Sequence, residues 1–328
     1  VGLLEEVIAG SPSALARAIS VVEDRRDGCR ELLSRCHRRE RQGFRIGLTG
    51  PPGAGKSTLG SRLALAFDKA GDSVGVIAVD PTSPFTGGAL LGDRVRMNEL
   101  SGRTGVFVRS MATRGASGGL AAATADAALV LDAASKRWIL IETVGVGQVE
   151  LDVAETADVV VVVLTPESGD GVQTLKAGLI EVADIFVVNK ADRPAADRMH
   201  QNLRTTLELR PSGSPEIPII STVAVSGEGI EELISAIREH KNKLTDPERA
   251  KRHRVRMARS HVVRLVEARV KSRLSSADEL LETLAQRVAR LEIDPYEAAD
   301  QVIAAGAVDL LSKMRKRKPK AIPAKSDG

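Results

Sequence analysis

A chain of 328 residues with 43% hydrophobic side chains carries enough apolar material for one large or two moderate domains. Only 2% of the residues are aromatic, so Val, Leu, Ile and Ala must fill the core, and stacking platforms for single-stranded nucleic acid are not expected. Much of the net charge of +4 sits near the C-terminus, which leaves a near-neutral body without a broad basic face for nucleic acid, and no run approaches the ~18–20 apolar residues of a membrane span.

Residues 1–44 read as an N-terminal helical extension. Leu3, Leu4, Val7 and Ile8 form one apolar stripe. Gly10-Ser11-Pro12 then supplies a stop, an N-cap and a first helical position, and Leu15, Ala18, Ile19 and Val22 continue the helical period. A third helix is expected over 27–40. Val1 to Glu6 is acidic where a signal peptide would be basic. Cys29 and Cys36 share a helical face but lie two turns apart, too far for a disulfide. A reduced, cytoplasmic protein is the economical expectation.

From 45 to 244, short Val/Ile-rich runs alternate with helical patterns, which predicts an α/β domain built on a mostly parallel central sheet flanked by helices. Strands are expected at 45–49, 73–79, 105–108, 137–142, 159–164, 185–189 and 217–222. Val159 to Leu164 is continuously apolar, as a strand covered on both faces should be. Ligands of such sheets bind beyond the carboxyl ends of the strands, so the polar residues that follow each run are the site candidates.

The first of these is the strongest. Ile46 and Leu48 lead into Gly50-Pro51-Pro52-Gly53-Ala54-Gly55-Lys56-Ser57-Thr58, after which Leu59, Leu63, Ala64 and Phe67 recur at helical spacing. A glycine-rich loop between strand and helix is the phosphate-binding (P-loop) arrangement: its N–H groups and the helix N-terminus favour an anion. Lys56 can reach β- and γ-phosphate oxygens, and the Ser57 hydroxyl can ligate Mg²⁺.

After the sixth run, Asn189-Lys190-Ala191-Asp192 fits the guanine pattern Asn-Lys-x-Asp. The Asp192 carboxylate can accept both the ring N–H and the exocyclic amine of guanine, a donor pair adenine lacks. Asn189 would tie the loops together and Lys190 would lie along the base plane. The segment Val223-Ala224 after the seventh run is expected to offer the Ala224 N–H to guanine O6. GTP and GDP are thus the expected ligands, with Mg²⁺.

The metal side departs from the Ras-type pattern Asp-x-x-Gly. Glu142 stands at the equivalent position, in Glu142-Thr143-Val144-Gly145, and Asp80 and Asp93 are the other carboxylates expected to converge on the metal. Asp93 could instead be a helix N-cap. No glutamine follows Gly145 directly, so weak intrinsic turnover that depends on another residue is expected. Gln173 and Lys176, three apart at a helix start, could bring an amide and a cation to the phosphates, or could form an ordinary solvated face.

Residues 245–312 read as a C-terminal helical arm. Asp246 is a cap, Pro247 lies in the first turn, and Val262, Val266 and Val270 share one face with more apolar surface than one neighbour would cover. A second helical segment is expected over 277–291 and a short one from Pro295. Residues 313–328 are basic and without apolar period, and are expected to be a disordered tail.

These stretches, in this order, resemble the MeaB/ArgK family of GTPases, bacterial relatives of the methylmalonic aciduria type A protein. The resemblance rests on the P-loop, on Val79-Asp80-Pro81-Thr82-Ser83-Pro84, on Gly92-Asp93-Arg94-Val95-Arg96-Met97, on Glu142 to Gln148, on the Gln173/Lys176 segment and on Asn189 to Asp192, and it spans residues 1 to about 305. It implies a GTPase chaperone for adenosylcobalamin-dependent methylmalonyl-CoA mutase, gating cofactor loading and protecting the mutase from inactivation. It also implies a homodimer through the C-terminal helices, and places Gln173 and Lys176 in a mobile segment called switch III. Two other readings stand beside it. One is a nickel-delivering metallochaperone GTPase, for which Cys36-His37 is the only adjacent Cys/His pair. The other is the older family label, an ATPase or kinase of a lysine/arginine/ornithine transport system, which conflicts with Asn189 to Asp192.

Overall fold

The computed structural model describes residues 2–80, 98–100, 102–112, 119–143, 153–167, 177–211, 213–275 and 278–315. Asp93, Gln173 and Lys176, the loop from Val144 to Gln148, the side chain of Asp80 and the end of the basic tail lie outside the described residues. The chain divides into two units, residues 1–264 and 265–328.

The first unit is built on seven parallel strands: β1 (Phe44–Thr49), β2 (Val74–Asp80), β3 (Val106–Ala112), β4 (Trp138–Glu142), β5 (Val159–Leu164), β6 (Ile185–Asn189) and β7 (Ile219–Thr222). Their order in the sheet is β3-β2-β4-β1-β5-β6-β7. From β1 the chain passes to β2 and β3, returns to insert β4 between β2 and β1, then crosses to the other side of β1 and runs outward through β5, β6 and β7, and every strand's carboxyl end lies on one edge. The crevice beside β1, where the winding direction switches, is where such sheets bind ligands.

Alternation along the strands decides which helix covers which face. Val159, Val161 and Val163 join Ile46, Leu48 and Leu140 in a core under α4 (Lys56–Lys69) and α8 (Ile230–Lys243). Val160, Val162 and Leu164 face the other way, toward α6 (Ala177–Val182) and α7 (Ala196–Glu208). The continuous apolar run therefore reflects a strand buried on both sides. On that second face, Ile77, Val79, Ile139 and Ile141 pack beneath α5 (Gly119–Ala133).

The N-terminal helices α1 (Leu3–Ile8), α2 (Pro12–Glu23) and α3 (Cys29–His37) share the core beneath α5. Ser11 caps α2 by accepting the Ala14 N–H at 3.3 Å, with Pro12 in the first turn. Both cysteines are buried free thiols, and burial pushes the Cys36 thiol up to about 11.

The opposite edge of the sheet, at the amino ends, holds a buried charge network. Asp158, just before β5, accepts the Arg45 N–H at 2.8 Å, binds the Arg41 guanidinium and lies 2.7 Å from His253 Nε2. Burial alone would raise the Asp158 carboxyl, but the His253 hydrogen bond and the charges of Arg41 and Arg45 hold it below the ordinary carboxylate value. His253 belongs to α9 (Pro247–Ser275), whose N-cap Asp246 accepts the Arg249 N–H at 2.8 Å. Two further residues of α9 fasten it to this unit: His261 sits 3.2 Å from Asp126 of α5, and Arg264 donates to the Glu155 carbonyl at 3.1 Å. Met257 is buried, whereas Val255, Val262 and Val263 are exposed.

In the second unit, the end of α9 is followed by α10 (Asp278–Ala289) and α11 (Pro295–Arg315). Asp294 caps α11 by accepting the Tyr296 and Glu297 N–H groups, both at 2.8 Å. The helix expected from Pro295 is thus 21 residues long rather than short, and it reaches Arg315. Among the described residues no helix is long and apolar enough to cross a membrane.

Candidate functional site

The P-loop joins β1 to α4 with three left-handed glycines, Gly50, Gly53 and Gly55. Two of them are required by close approach as well as by φ. A Cβ on Gly50 (φ +135°) would stand 2.0 Å from the Val163 carbonyl oxygen, and one on Gly55 (φ +88°) 2.3 Å from the Asn189 side-chain amide. Lys56 is buried, and its Nζ donates to the Gly50 carbonyl at 2.8 Å and to the Pro51 carbonyl at 3.0 Å. The ammonium is thereby held over the loop it closes.

Ser57, next along α4, donates from Oγ to Glu142 Oε1 at 2.5 Å. Both are buried. The parallel register of β1 and β4 sets Leu48 opposite Glu142, which carries the carboxylate to the start of α4. The Thr143 N–H extends that pairing by donating to the Leu48 carbonyl at 3.1 Å, and its hydroxyl lies 3.2 Å from that of Thr49. Asp80 ends β2, two strands from β1 on the same edge. Two hard oxygen donors in contact beside a phosphate-binding loop suit a small divalent cation such as Mg²⁺.

Asn189, at the end of β6, links the P-loop to the loop after β7. Its Nδ2 donates to the Ala54 carbonyl of the P-loop at 2.8 Å, and its Oδ1 accepts the Thr222 hydroxyl and the Ala224 N–H, each at 3.1 Å. The Ala224 N–H, expected to face guanine O6, is thus engaged by Asn189 in this structure. The Ala191 N–H donates to the Thr222 carbonyl at 3.0 Å, so the two loops after β6 and β7 are also joined through their backbones. Lys190 adopts φ +58° and lies 3.7 Å from Glu167, which also binds the Arg193 guanidinium. Asp192 is exposed in the same turn.

Gly50 to Thr58, Glu142, Asn189 to Asp192 and Val223-Ala224 all follow strands on one edge, with Asp80 ending β2 there. Two of the residues that join these loops carry no sequence signal. Thr222 supports Asn189, and Arg62 of α4 donates from Nε to the Ala224 carbonyl at 3.1 Å. Each acts through a partner distant in sequence, which no local pattern reveals.

A family model described as "Methylmalonyl Co-A mutase-associated GTPase MeaB" matches residues 15–279. The chain belongs to the MeaB family of GTPases. A protein of Pyrococcus abyssi, described by name as a GTPase, is 46% identical over 307 residues, covering 92% of this chain and 95% of its own. The mouse "Methylmalonic aciduria type A homolog, mitochondrial" is 38% identical over 257 residues, covering 73% of this chain and 62% of its own. A solved crystal structure described as "LAO/AO transport system kinase" superimposes with a TM-score of 0.70 at 25% identity, covering 92% of this chain and 95% of that one. Membership makes this MeaB-family chain a GTP hydrolase and implies guanine-nucleotide binding. The P-loop fold agrees with it.

Proposed function

We propose that this chain is a Mg²⁺-dependent GTPase that acts as chaperone to an adenosylcobalamin-dependent methylmalonyl-CoA mutase, coupling its nucleotide state to cofactor loading and protection of the mutase. The observation that carries the client assignment is the family match over residues 15–279, joined by the likeness to the mouse methylmalonic aciduria type A homolog. Action in the cytoplasm is part of the same proposal, in keeping with two free thiols.

Ser57 and Glu142 would hold the metal, with Asp80 and Asp93 as further carboxylates. Bound there, Mg²⁺ supplies positive charge to the β- and γ-phosphate oxygens. The chain's own residues do the rest. Lys56 exchanges the Gly50 and Pro51 carbonyls for phosphate oxygens, which offer an ammonium stronger, charge-assisted hydrogen bonds. Gly50 to Thr58 wraps the phosphates, and Asp192 reads the guanine N–H pair while Lys190 lies along the base. Asn189 keeps the base loop and P-loop in fixed relation, so nucleotide binding at one end orders the other. Gln173 and Lys176 would deliver an amide and a cation to the charge that develops in the transition state.

A homodimer through 245–312 belongs to the same proposal. The exposed Val262, Val266 and Val270 on α9 support it.

The test is GTP turnover by full-length protein with and without the holo-mutase, for wild type, Gln173→Ala and Lys176→Ala. Stimulation by the mutase, lost in both variants while basal turnover persists, is the expected result. No stimulation of the wild type would remove the client assignment and leave the GTPase activity intact.

A further inference from the structure

A segregated block of positive charge lies on α9. From Arg249 to Arg264 the helix carries seven Arg or Lys side chains and no Asp or Glu, although the net charge of the whole chain is only +4. All but Arg264 are exposed. Among the described residues, the side chains of this stretch that meet a carboxylate are His253, His261 and Arg264, with Asp158, Asp126 and Glu155. The side chains of Arg249, Lys251, Arg252, Arg254 and Arg259 have no hydrogen bond or ion pair among the described residues. Arg256 reaches only the ring of its neighbour His253, at 3.2 Å from Nδ1.

The helix has two sides here. His253, Met257, His261 and Arg264 recur at every third or fourth position and face inward, with Met257 and Arg264 buried. Arg249, Arg252, Arg256 and Arg259 recur at the same spacing along an exposed flank. Val255 is 63% exposed and lies four residues from both Lys251 and Arg259, so an apolar side chain stands among the cations. Helix physics opposes this arrangement. Arg249 sits in the first turn, where the macrodipole repels a cation. Arg249/Arg252, Lys251/Arg254, Arg252/Arg256 and Arg256/Arg259 are like-charge neighbours three or four residues apart. Nothing among the described residues offsets this repulsion; negative charge brought from outside would.

We propose that the outward face of α9 from Arg249 to Arg259 is a docking surface for an acidic, amphipathic segment of a partner protein. The cations set the sign of the partner, and Val255 sets its class. Carboxylates laid along the arginine row would relieve its like-charge neighbours together, and an apolar side chain between them would cover Val255. A nucleic-acid backbone offers phosphates to the cations but no apolar surface to the valine. A lipid surface takes up a helix through one broad apolar face, and here the exposed side is mostly charge. Val262, Val266 and Val270, on which the homodimer rests, lie beyond this face. Under the function proposed above the partner is the mutase. That identity rests on the earlier reading, whereas the chemistry of the face does not.

The test is the dissociation constant of full-length protein for the holo-mutase, measured in about 50 and about 300 mM salt, where screening differs strongly. The main variant is Arg249→Gln/Arg252→Gln/Arg259→Gln, which keeps side-chain length and leaves Arg256 with His253. Wild-type binding should weaken at least about tenfold between the two salt concentrations. The triple Gln variant should bind at least about tenfold more weakly at low salt and respond little to added salt. The same three positions changed to Lys keep the charge and should retain most of the low-salt affinity. Val255→Ser should weaken mutase binding about threefold or more, and leave binding of a short DNA duplex unchanged. Thermal unfolding of the triple Gln variant should come no earlier than in the wild type, because like-charge neighbours have been removed.

Mutase binding that is the same in the triple Gln variant and the wild type would overturn the docking face and leave the client assignment standing. Failure of the wild type to bind the mutase at either salt concentration would remove the client assignment, and the docking face with it. Earlier unfolding of the triple Gln variant would make the row a structural prop and overturn the inference. So would a change in its oligomeric state by light scattering, which would mean that a second copy covers the face. Tighter wild-type binding to the DNA duplex than to the mutase, with Val255→Ser indifferent in both, would assign the face to nucleic acid instead.

Discussion

Replacing Asn189 by Ala tests whether one buried amide holds the base loop to the phosphate loop. The side chain is 2% exposed and its three partners are equally dry: Ala54 at 1%, Thr222 at 0% and Ala224 at 2%. Truncation removes three hydrogen bonds of 2.8 to 3.1 Å and leaves a backbone carbonyl and a backbone N–H buried without their partner. Each bond contributes about 1 kcal/mol net, and a stranded buried group costs about 1–3 kcal/mol until water or a small shift relieves it. The Thr222 hydroxyl can rotate toward another acceptor, so its share is the smallest. The expected loss of stability is about 2–4 kcal/mol. It is read by urea unfolding followed through Trp138, the only tryptophan, which is buried and stacked on Phe67 with ring centroids 4.3 Å apart. The midpoint should fall with little change in slope, since the surface exposed on unfolding is the same. Nucleotide binding should suffer separately. GDP dissociation, followed by stopped flow, should accelerate at least about tenfold, because Ala54 and Ala224 no longer share a support. A loss below about 0.5 kcal/mol together with an unchanged GDP off-rate would refute the linkage, since a dry three-bond site cannot be emptied so cheaply.

Lys56→Ala should reduce GTP hydrolysis by at least about a hundredfold, the scale seen when one electrostatic stabiliser is removed from a preorganised site. Ser57→Ala should raise the Mg²⁺ concentration needed for half-maximal turnover, and wild-type rates in both would exclude the P-loop as the site of hydrolysis. Asp192→Asn should move preference from GDP toward XDP, whose ring presents a carbonyl where guanine has its amine, as read by competition binding; an unchanged GDP preference counts against Asp192. Burial, with Lys243 and His253 nearby, holds His240 below its ordinary value despite the Asp184 carboxylate and a backbone acceptor at Asp158. The unfolded chain therefore binds the extra proton first: stability is full above about pH 6.5 and falls as the pH drops below it. His240→Asn should flatten the urea midpoint between pH 7.5 and 5.5, and an identical pH profile in the variant would refute this source.

The local geometry of the P-loop and of the turn after β6 was legible from the sequence because both stretches are short and contiguous. Gly50 to Thr58 and Asn189 to Asp192 each lie within one turn after one strand, so their geometry follows from backbone conformation and nearest neighbours. The run Val159 to Leu164 announced burial on both faces for the same reason, and the Ser11-Pro12 helix start is likewise a matter of adjacent residues. Family membership followed from these pieces in order.

The tertiary structure decided how the pieces meet. Strand order is not chain order: β1 pairs with β4 and β5, and only that arrangement brings Glu142 against Ser57 across 85 positions. The helix from Pro247 displays its valines in the sequence, yet nothing there marks His253, His261 and Arg264 as the residues that fasten it to Asp158, Asp126 and the Glu155 carbonyl. Arg62 is the plainest case. It looks like one more solvated helix charge until β7 sets the Ala224 and Val225 carbonyls beside it. Periodicity and propensity report the preferences of a segment, whereas a hydrogen bond between distant segments exists only once the sheet has fixed their separation to within a few tenths of an ångström.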